Sequence, residues 1–487
     1  MLLRRYMNSN VKKNISAVNG LKWSAIERIC SQGIQLLLMI VLARQLGPGA
    51  FGLIGMLTIF ITIGQVFIDS GFSAALIRKN ERTESDYATV FYFNMTVAIL
   101  FYAVLFFCAP FIAEFYKRNE LIELTRVLGL TIIISAFIIV QRIQLSVILD
   151  FKTQAISSLS SVIISGGCAL LMAYNGFGVW SLVIQTITMG LVNLVILNIY
   201  NPWLPKRSFS KKSFHGFFSF GSRLLISSLI DSIYTNIYLV VIGKSFSAST
   251  LGQFTQANLL SNTPAMTLTT VVQRVTYPLL SNVNNAKGNI DEIYLRILRL
   301  TAAAVFPVMF LLAIIAKPFV VLFLGQQWEP VAELMSILCI GYCLYPVHAI
   351  NLNLLQVKGR TDLFLKLEII KKTLITVILI VTIPFGVKII CIGIFAQYYI
   401  SLLINTYYTG KLSSLSAIAQ IKALLPIWLM ASISSAISWF LIPREIFSGL
   451  YQIIGILITN ISLYGIGMYL FQKDIYEMVK FLFIKTK

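Results

Sequence analysis

Two apolar runs, residues 21–46 and 50–72, meet at the turn Arg44-Gln-Leu-Gly-Pro-Gly-Ala-Phe-Gly52. Each is long enough to cross a hydrocarbon core as a helix, which takes about 20 residues at about 1.5 Å each. The pair therefore reads as a membrane hairpin. Neither run is uniformly apolar: Glu27, Ser31 and Gln35 recur at four-residue spacing beside Arg28 and Gln32, and the second run carries Thr58, Thr62, Gln65 and Asp69. A helix with one polar stripe in lipid must turn that stripe inward.

The hairpin recurs further along the chain. Lys244, Phe246, Leu251 and Gly252 fall in register with Arg44, Leu46, Phe51 and Gly52, an offset of 200 in every case. In that register Glu27, Ser31 and Gln35 land on Ser227, Asp231 and Thr235, while Thr58, Thr62 and Asp69 land on Asn258, Asn262 and Thr269. A shared turn and the shared phase of two polar stripes imply a parallel internal repeat, two lobes facing one cavity. The repeat extends with drift to Pro110-Phe111 against Pro318-Phe319 and Glu123-Leu124 against Glu333-Leu334.

With 57% hydrophobic and 12% charged residues over 487 positions, the chain is too apolar for a soluble protein of this size. Hydropathy predicts an all-α polytopic membrane protein of about fourteen spanning helices: 21–46, 50–72, 87–115, 121–149, 153–175, 177–200, 214–243, 250–281, 292–324, 331–357, 362–385, 387–410, 419–442 and 446–471. The expected organisation is an N-terminal segment 1–20, an N-lobe 21–200, a linker 201–213, a C-lobe 214–410, an appended helix pair within 419–471 and a tail 472–487. Alternate loops carry Arg78, Lys79, Arg82, Lys152, Lys206, Arg207, Lys211, Lys212, Lys358, Arg360 and Lys411, whereas the opposite turns are nearly bare, which predicts both termini in the cytoplasm. Much of the +20 net charge is thus topological, and no nucleic-acid module is visible. All six cysteines lie in apolar segments and read as packing residues; Cys339 and Cys343 sit one turn apart with no further ligand at metal spacing.

Ionisable groups inside spans each cost about 2.5–3.5 kcal/mol at a helix centre and need a reason to be there. By depth, Arg28, Arg142, Arg223 and Arg274 fall toward the cytoplasmic ends of four helices, where they would form a cationic floor for a phosphate or pyrophosphate bound by forked hydrogen bonds. Snorkelling to headgroups or local pairing is the competing reading of each. Gln35, Gln65, Asn258 and Asn262 add uncharged hydrogen-bonding groups to the polar stripes. Glu27, Asp69, Asp231 and His348 could couple transport to H⁺ or Na⁺, or the carboxylates could simply neutralise Arg28 and Arg223. Pro264, Pro278, Pro307, Pro346 and Pro384 are possible hinges. No nucleophile, base and oxyanion-donor set emerges, so no enzyme activity and no metal or organic cofactor is expected.

The stretches Leu42-Ala-Arg-Gln-Leu-Gly-Pro-Gly-Ala-Phe-Gly-Leu53, Asp69-Ser-Gly-Phe-Ser-Ala-Ala-Leu-Ile-Arg78 and Pro110-Phe-Ile-Ala-Glu-Phe-Tyr116 resemble the Wzx-type polysaccharide flippases. Within them the chain is most similar to the colanic-acid-exporter-like branch of the multidrug/oligosaccharidyl-lipid/polysaccharide exporter superfamily. The resemblance implies two six-helix bundles in a V shape, an appended helix pair, and alternating access driven by a cation gradient. The implied cargo is an undecaprenyl-pyrophosphate-linked oligosaccharide (O-antigen, capsule or exopolysaccharide) turned from the cytoplasmic to the periplasmic leaflet of a bacterial inner membrane, alongside polysaccharide polymerase and chain-length partners. One chain encloses its own pathway, so a monomer suffices. A multidrug/cation antiporter of the same superfamily, a peptidoglycan-precursor flippase and a membrane-bound polysaccharide polymerase or ligase are the rival readings; the short external turns disfavour the last.

Overall fold

The computed structural model describes residues 2–69, 71–285, 289–442 and 449–477, the side chains of residues 2–22, 25, 274, 275, 278, 284 and 285 excepted. Among the described residues all regular structure is helical, and the chain divides into two compact units, Met1–Gly252 and Gln253–Lys487. The repeat boundary near 201–213 and the boundary between the units are different divisions, one of sequence and one of contact.

The first unit holds α1 (Leu2–Asp69), α2 (Phe72–Arg78), α3 (Glu84–Tyr116), α4 (Leu121–Val147), α5 (Phe151–Tyr174), α6 (Trp180–Tyr200), α7 (Lys211–Ser245) and the start of α8 (Ala248–Asn285). α1 is the expected hairpin's two arms joined through a kink. Gly47 there takes φ 71° and ψ 174°, and Pro48 follows without an N–H to continue the ladder. Small residues let the helices pack closely: Ser161, Ser165, Gly166, Ala169 and Ala173 are buried on α5, and Ala169 and Ala173 meet Leu42 of α1 and Leu182 of α6.

The repeated glycines meet in this unit. A Cβ on Gly52 would fall 1.7 Å from the Ala248 carbonyl oxygen, and a Cβ on Gly252 would fall 1.9 Å from the Pro48 carbonyl oxygen. Residues 48 and 52 thus face 248 and 252, their own counterparts at the 200-residue offset. Two copies of one turn pack reciprocally, and only a residue without a side chain fits at each crossing.

The second unit holds the remainder of α8, then α9 (Ile290–Phe323), a single 3₁₀ turn (Gln326–Trp328), α10 (Glu329–Tyr342), α11 (Tyr345–Val357), α12 (Thr361–Thr382), α13 (Val387–Gly410), α14 (Ala417–Leu441) and α15 (Leu450–Phe471). The expected span 331–357 is broken between α10 and α11. Pro346 sits in the first turn of α11; its ring crowds the carbonyl four residues earlier and it donates no hydrogen bond. α14 and α15 pack on α9: Ile453 and Ile456 bury against Ile315, and the Tyr464 hydroxyl donates to the Ala303 carbonyl at 2.9 Å.

Eleven stretches among the described residues are long and apolar enough to cross a membrane. Each of the fourteen expected spans nonetheless falls on helix over its described residues, with 331–357 divided between α10 and α11 and residues 446–448 of the last span outside the described residues. The kinked α1 counts once, and α8 and α12 fall out because of their polar residues. Large side chains such as Phe107, Phe111 and Phe440 stand exposed on the helices, the surface expected of a protein whose solvent there is lipid. Cys339, Cys343 and Cys391 are buried and Cys108 and Cys168 half-buried, as packing residues should be, but Cys30 is exposed.

Candidate functional site

Chain alternation brings the ends of α1, α4, α5 and α7 that carry the expected polar residues of the first unit to one membrane face. α1 packs on α4, α5 and α7. Glu27 accepts a 2.6 Å hydrogen bond from the Ser158 hydroxyl of α5 and lies within electrostatic reach of Arg142 on α4. One turn earlier, the Lys152 ammonium stands 5.8 Å from the Trp23 ring centroid. Glu27 therefore bonds Ser158 across helices and feels the charge of Arg142 through space, where the sequence offered its neighbour Arg28. Glu27 is half-buried and Arg142 exposed, and a carboxylate and a guanidinium on facing apolar helices are tolerable because each supplies the other's counter-charge.

Arg28 and Gln35 are exposed on α1, and Arg223 on α7. Neither Arg28 nor Arg223 has an ion-pair partner among the described residues. Gln65 and Asp69 are exposed near the end of α1, and Gly71 just beyond packs on the Gly221–Leu224 turn of α7 that bears Arg223. Asp231 lies two turns further along α7, exposed. Five of the expected residues, Glu27, Arg28, Asp69, Arg142 and Arg223, thus lie toward one end of the first unit with Gln65, whereas Gln35 and Asp231 lie deeper along α1 and α7. The side chain of Arg274 lies outside the described residues.

The remaining expected residues belong to the second unit and do not form one group. Asn258 of α8 accepts from the Tyr342 hydroxyl at 2.6 Å, so its acceptor is engaged within the protein. The Asn262 Oδ1 is buried without a partner among the described residues. His348 is buried on α11 and its Nδ1 lies 3.1 Å from the Asn405 amide of α13, while Nε2 has no partner among the described residues.

Around His348 the structure gathers a polar network that the sequence reading missed. The Tyr294 hydroxyl of α9 bridges the amides of Asn351 and Gln420, and Thr409 donates to the same Gln420 oxygen at 3.1 Å. Lys371 of α12 pairs with Glu368 at 2.5 Å and lies within electrostatic reach of His348. A signal was available for the last pair: Lys366, Glu368, Lys371 and Lys372 fall inside an expected span. No such signal marks Tyr294, Asn351 or Gln420, because single amides and tyrosines are ordinary in helices. Tyr294→Phe should lower stability by about 1–3 kcal/mol, the cost of stranding buried amide groups. Thermal unfolding of the full chain in detergent checks this; an unchanged midpoint would mean the hydroxyl is dispensable.

A profile of the family described as polysaccharide biosynthesis protein matches residues 41–333. The teichuronic acid biosynthesis protein TuaB of Bacillus subtilis (strain 168) is 26% identical over 348 residues, 71% of this chain and 72% of TuaB. The lipopolysaccharide biosynthesis protein WzxC of Escherichia coli (strain K12) is 24% identical over 363 residues, 73% and 72% of the two chains. Among solved structures, an inward closed lipid II flippase MurJ superposes with a TM-score of 0.74 at 16% identity, covering 93% of this chain and 99% of MurJ. At that identity the likeness is one of fold.

Proposed function

The chain belongs to the polysaccharide biosynthesis protein family, and from that premise we propose that it is a flippase that turns a lipid-linked oligosaccharide repeat unit across the membrane. The observation that carries the reading is the charged group Glu27, Arg142 and Ser158, set among apolar helices with Arg28 and Arg223 at the same end of the first unit. A cation-rich polar surface inside a membrane protein suits an anionic, hydrogen-bonding headgroup whose tail stays in lipid. Relatives named for teichuronic acid and lipopolysaccharide biosynthesis, and the fold of a lipid II flippase, support a glycan on a lipid carrier.

In finer terms the proposed carrier is undecaprenyl pyrophosphate. Arg28, Arg142, Arg223 and Arg274 receive the pyrophosphate, and Gln35, Gln65, Asn258 and Asn262 meet sugar hydroxyls. Movement runs from the cytoplasmic to the periplasmic leaflet of an inner membrane, with both termini cytoplasmic and a single chain sufficient. Glu27, Asp69, Asp231 and His348 are the groups proposed to take up H⁺ or Na⁺. The repeated hairpins and the broken α10–α11 segment support alternating access.

The test is flipping of a labelled undecaprenyl-pyrophosphate oligosaccharide in proteoliposomes, with and without a pH or Na⁺ gradient. Protein-dependent flipping accelerated by one gradient is the expected result. Exchange of organic cations for protons with no movement of the lipid-linked sugar would replace this reading with that of a drug antiporter. Covalent lengthening of the glycan would replace it with a polymerase.

A further inference from the structure

A cavity of about 630 Å³ opens in the first unit between α2, the start of α3 and the start of α7. Glu27, Arg142 and Ser158 are not among the residues that line it, and the transport reading assigns it nothing. Three cations border it: Arg78 and Lys212, both exposed, and Lys79, half-buried. Aromatic faces hold two of them in place, with the Arg78 guanidinium 5.2 Å from the Phe220 ring centroid and the Lys79 ammonium 5.6 Å from that of Phe217.

The inner wall is acidic. Asp86 is fully buried, and its Oδ2 accepts from Lys79 Nζ at 2.6 Å, Thr83 N at 2.8 Å and Thr83 Oγ1 at 2.9 Å. Among the described residues its Oδ1 accepts no hydrogen bond of ordinary geometry; the Ser213 hydroxyl lies within reach of the carboxylate but is directed to Ser210 Oγ at 3.3 Å. A buried carboxylate oxygen without a donor is costly, and a ligand hydroxyl would satisfy it. Lys79 is spent on Asp86, which leaves Arg78, Lys212 and the N-terminus of the 35-residue α7 as the positive groups facing the opening. Cations at the mouth and an unfilled acceptor at the wall together select an anion that carries a hydroxyl. Across the start of α7 a second cavity of about 580 Å³, walled by Phe93, Phe209 and Phe214, adds apolar surface at the same level.

We propose that this cavity binds the headgroup of an anionic glycerophospholipid: its phosphate diester on Arg78, Lys212 and the α7 N-terminus, and a headgroup hydroxyl donating to Asp86 Oδ1. The ligand is a resident lipid and not the transported cargo, so the proposal stands or falls apart from the flipping assay.

Native mass spectrometry of the full chain, purified from vesicles of phosphatidylcholine mixed with phosphatidylglycerol, reads the retained lipid. The Arg78→Ala/Lys212→Ala variant should retain roughly thirtyfold less phosphatidylglycerol than wild type, at about a fivefold loss for each cation near the membrane surface. Both side chains are exposed, so folding should survive, and an unchanged elution profile and thermal midpoint verify it. Equal retention by wild type and variant overturns the site. A parallel arm replaces phosphatidylglycerol with phosphatidylmethanol, which has the phosphate diester and no headgroup hydroxyl. Preference for phosphatidylglycerol supports the role of Asp86, and equal retention overturns it. Soluble glycerol 3-phosphate, added at millimolar concentration, should displace little lipid; full displacement would make the ligand a free phosphate ester and overturn the lipid assignment.

Discussion

Gly52→Ala is expected to lower the stability of the full chain by about 1–3 kcal/mol, the usual cost of forcing atoms into a filled site. The added Cβ would come 1.7 Å from the Ala248 carbonyl oxygen and 2.6 Å from its carbon. Both are backbone atoms, so no side chain can swing aside, and the turn at 246–248 must move. Gly252→Ala should cost a similar amount, because its Cβ meets the Pro48 carbonyl in the mirrored contact. The two sites share one crossing, so their effects should not add: once the first alanine has parted the turns, the second finds room. Thermal unfolding of both single variants and the double variant gives the answer. Full additivity, or two neutral alanines, would show that the crossing is not maintained in the membrane protein as purified.

The larger functional effect is expected at Arg142. Arg142→Gln removes the cation within reach of Glu27 and should slow flipping roughly tenfold or more, in keeping with the loss of a charge-assisted contact worth about 1.5–3 kcal/mol. That change alone could reflect damage to the fold, since it strands a carboxylate among apolar helices. The double variant Glu27→Gln/Arg142→Gln separates the two roles. It removes both charges while keeping polar side chains near Ser158, so expression and thermal stability should recover. If flipping stays low while stability returns, Arg142 serves the anionic cargo. If flipping returns as well, the pair is scaffold and the pyrophosphate assignment of Arg142 fails.

Several residues show how far reading along the chain reaches. The turn at Gly47 and the helices on either side were legible because length, hydropathy and a Gly-Pro pair act locally. The 200-residue register was legible as well, and the Gly52–Ala248 and Gly252–Pro48 contacts give it a physical form. Pro346 marked a break that the structure places between α10 and α11. The counter-charge of Glu27 was not legible: its sequence neighbour Arg28 was the natural choice, yet the bonds made are to Ser158 and toward Arg142, far away in sequence. Asp86 was equally hidden, as an acidic residue at a helix start reads as an ordinary first-turn carboxylate until its burial and its bond to Lys79 are known.

By itself, then, the sequence determined an all-α membrane protein, its spans, its repeated hairpin and the residue types of its polar stripes, because burial in lipid demands long apolar helices and places a visible penalty on every charge. Only the tertiary structure decided which charges meet, which amides close the network around Tyr294 and His348, and that Arg78, Lys79 and Lys212 border one cavity over a buried carboxylate. The reason is geometric. A helix shows its stripe in one dimension, but its rotation and depth against its neighbours are set by the packing of small residues such as Ala169 and Ala173, and those two variables choose every partner across the bundle.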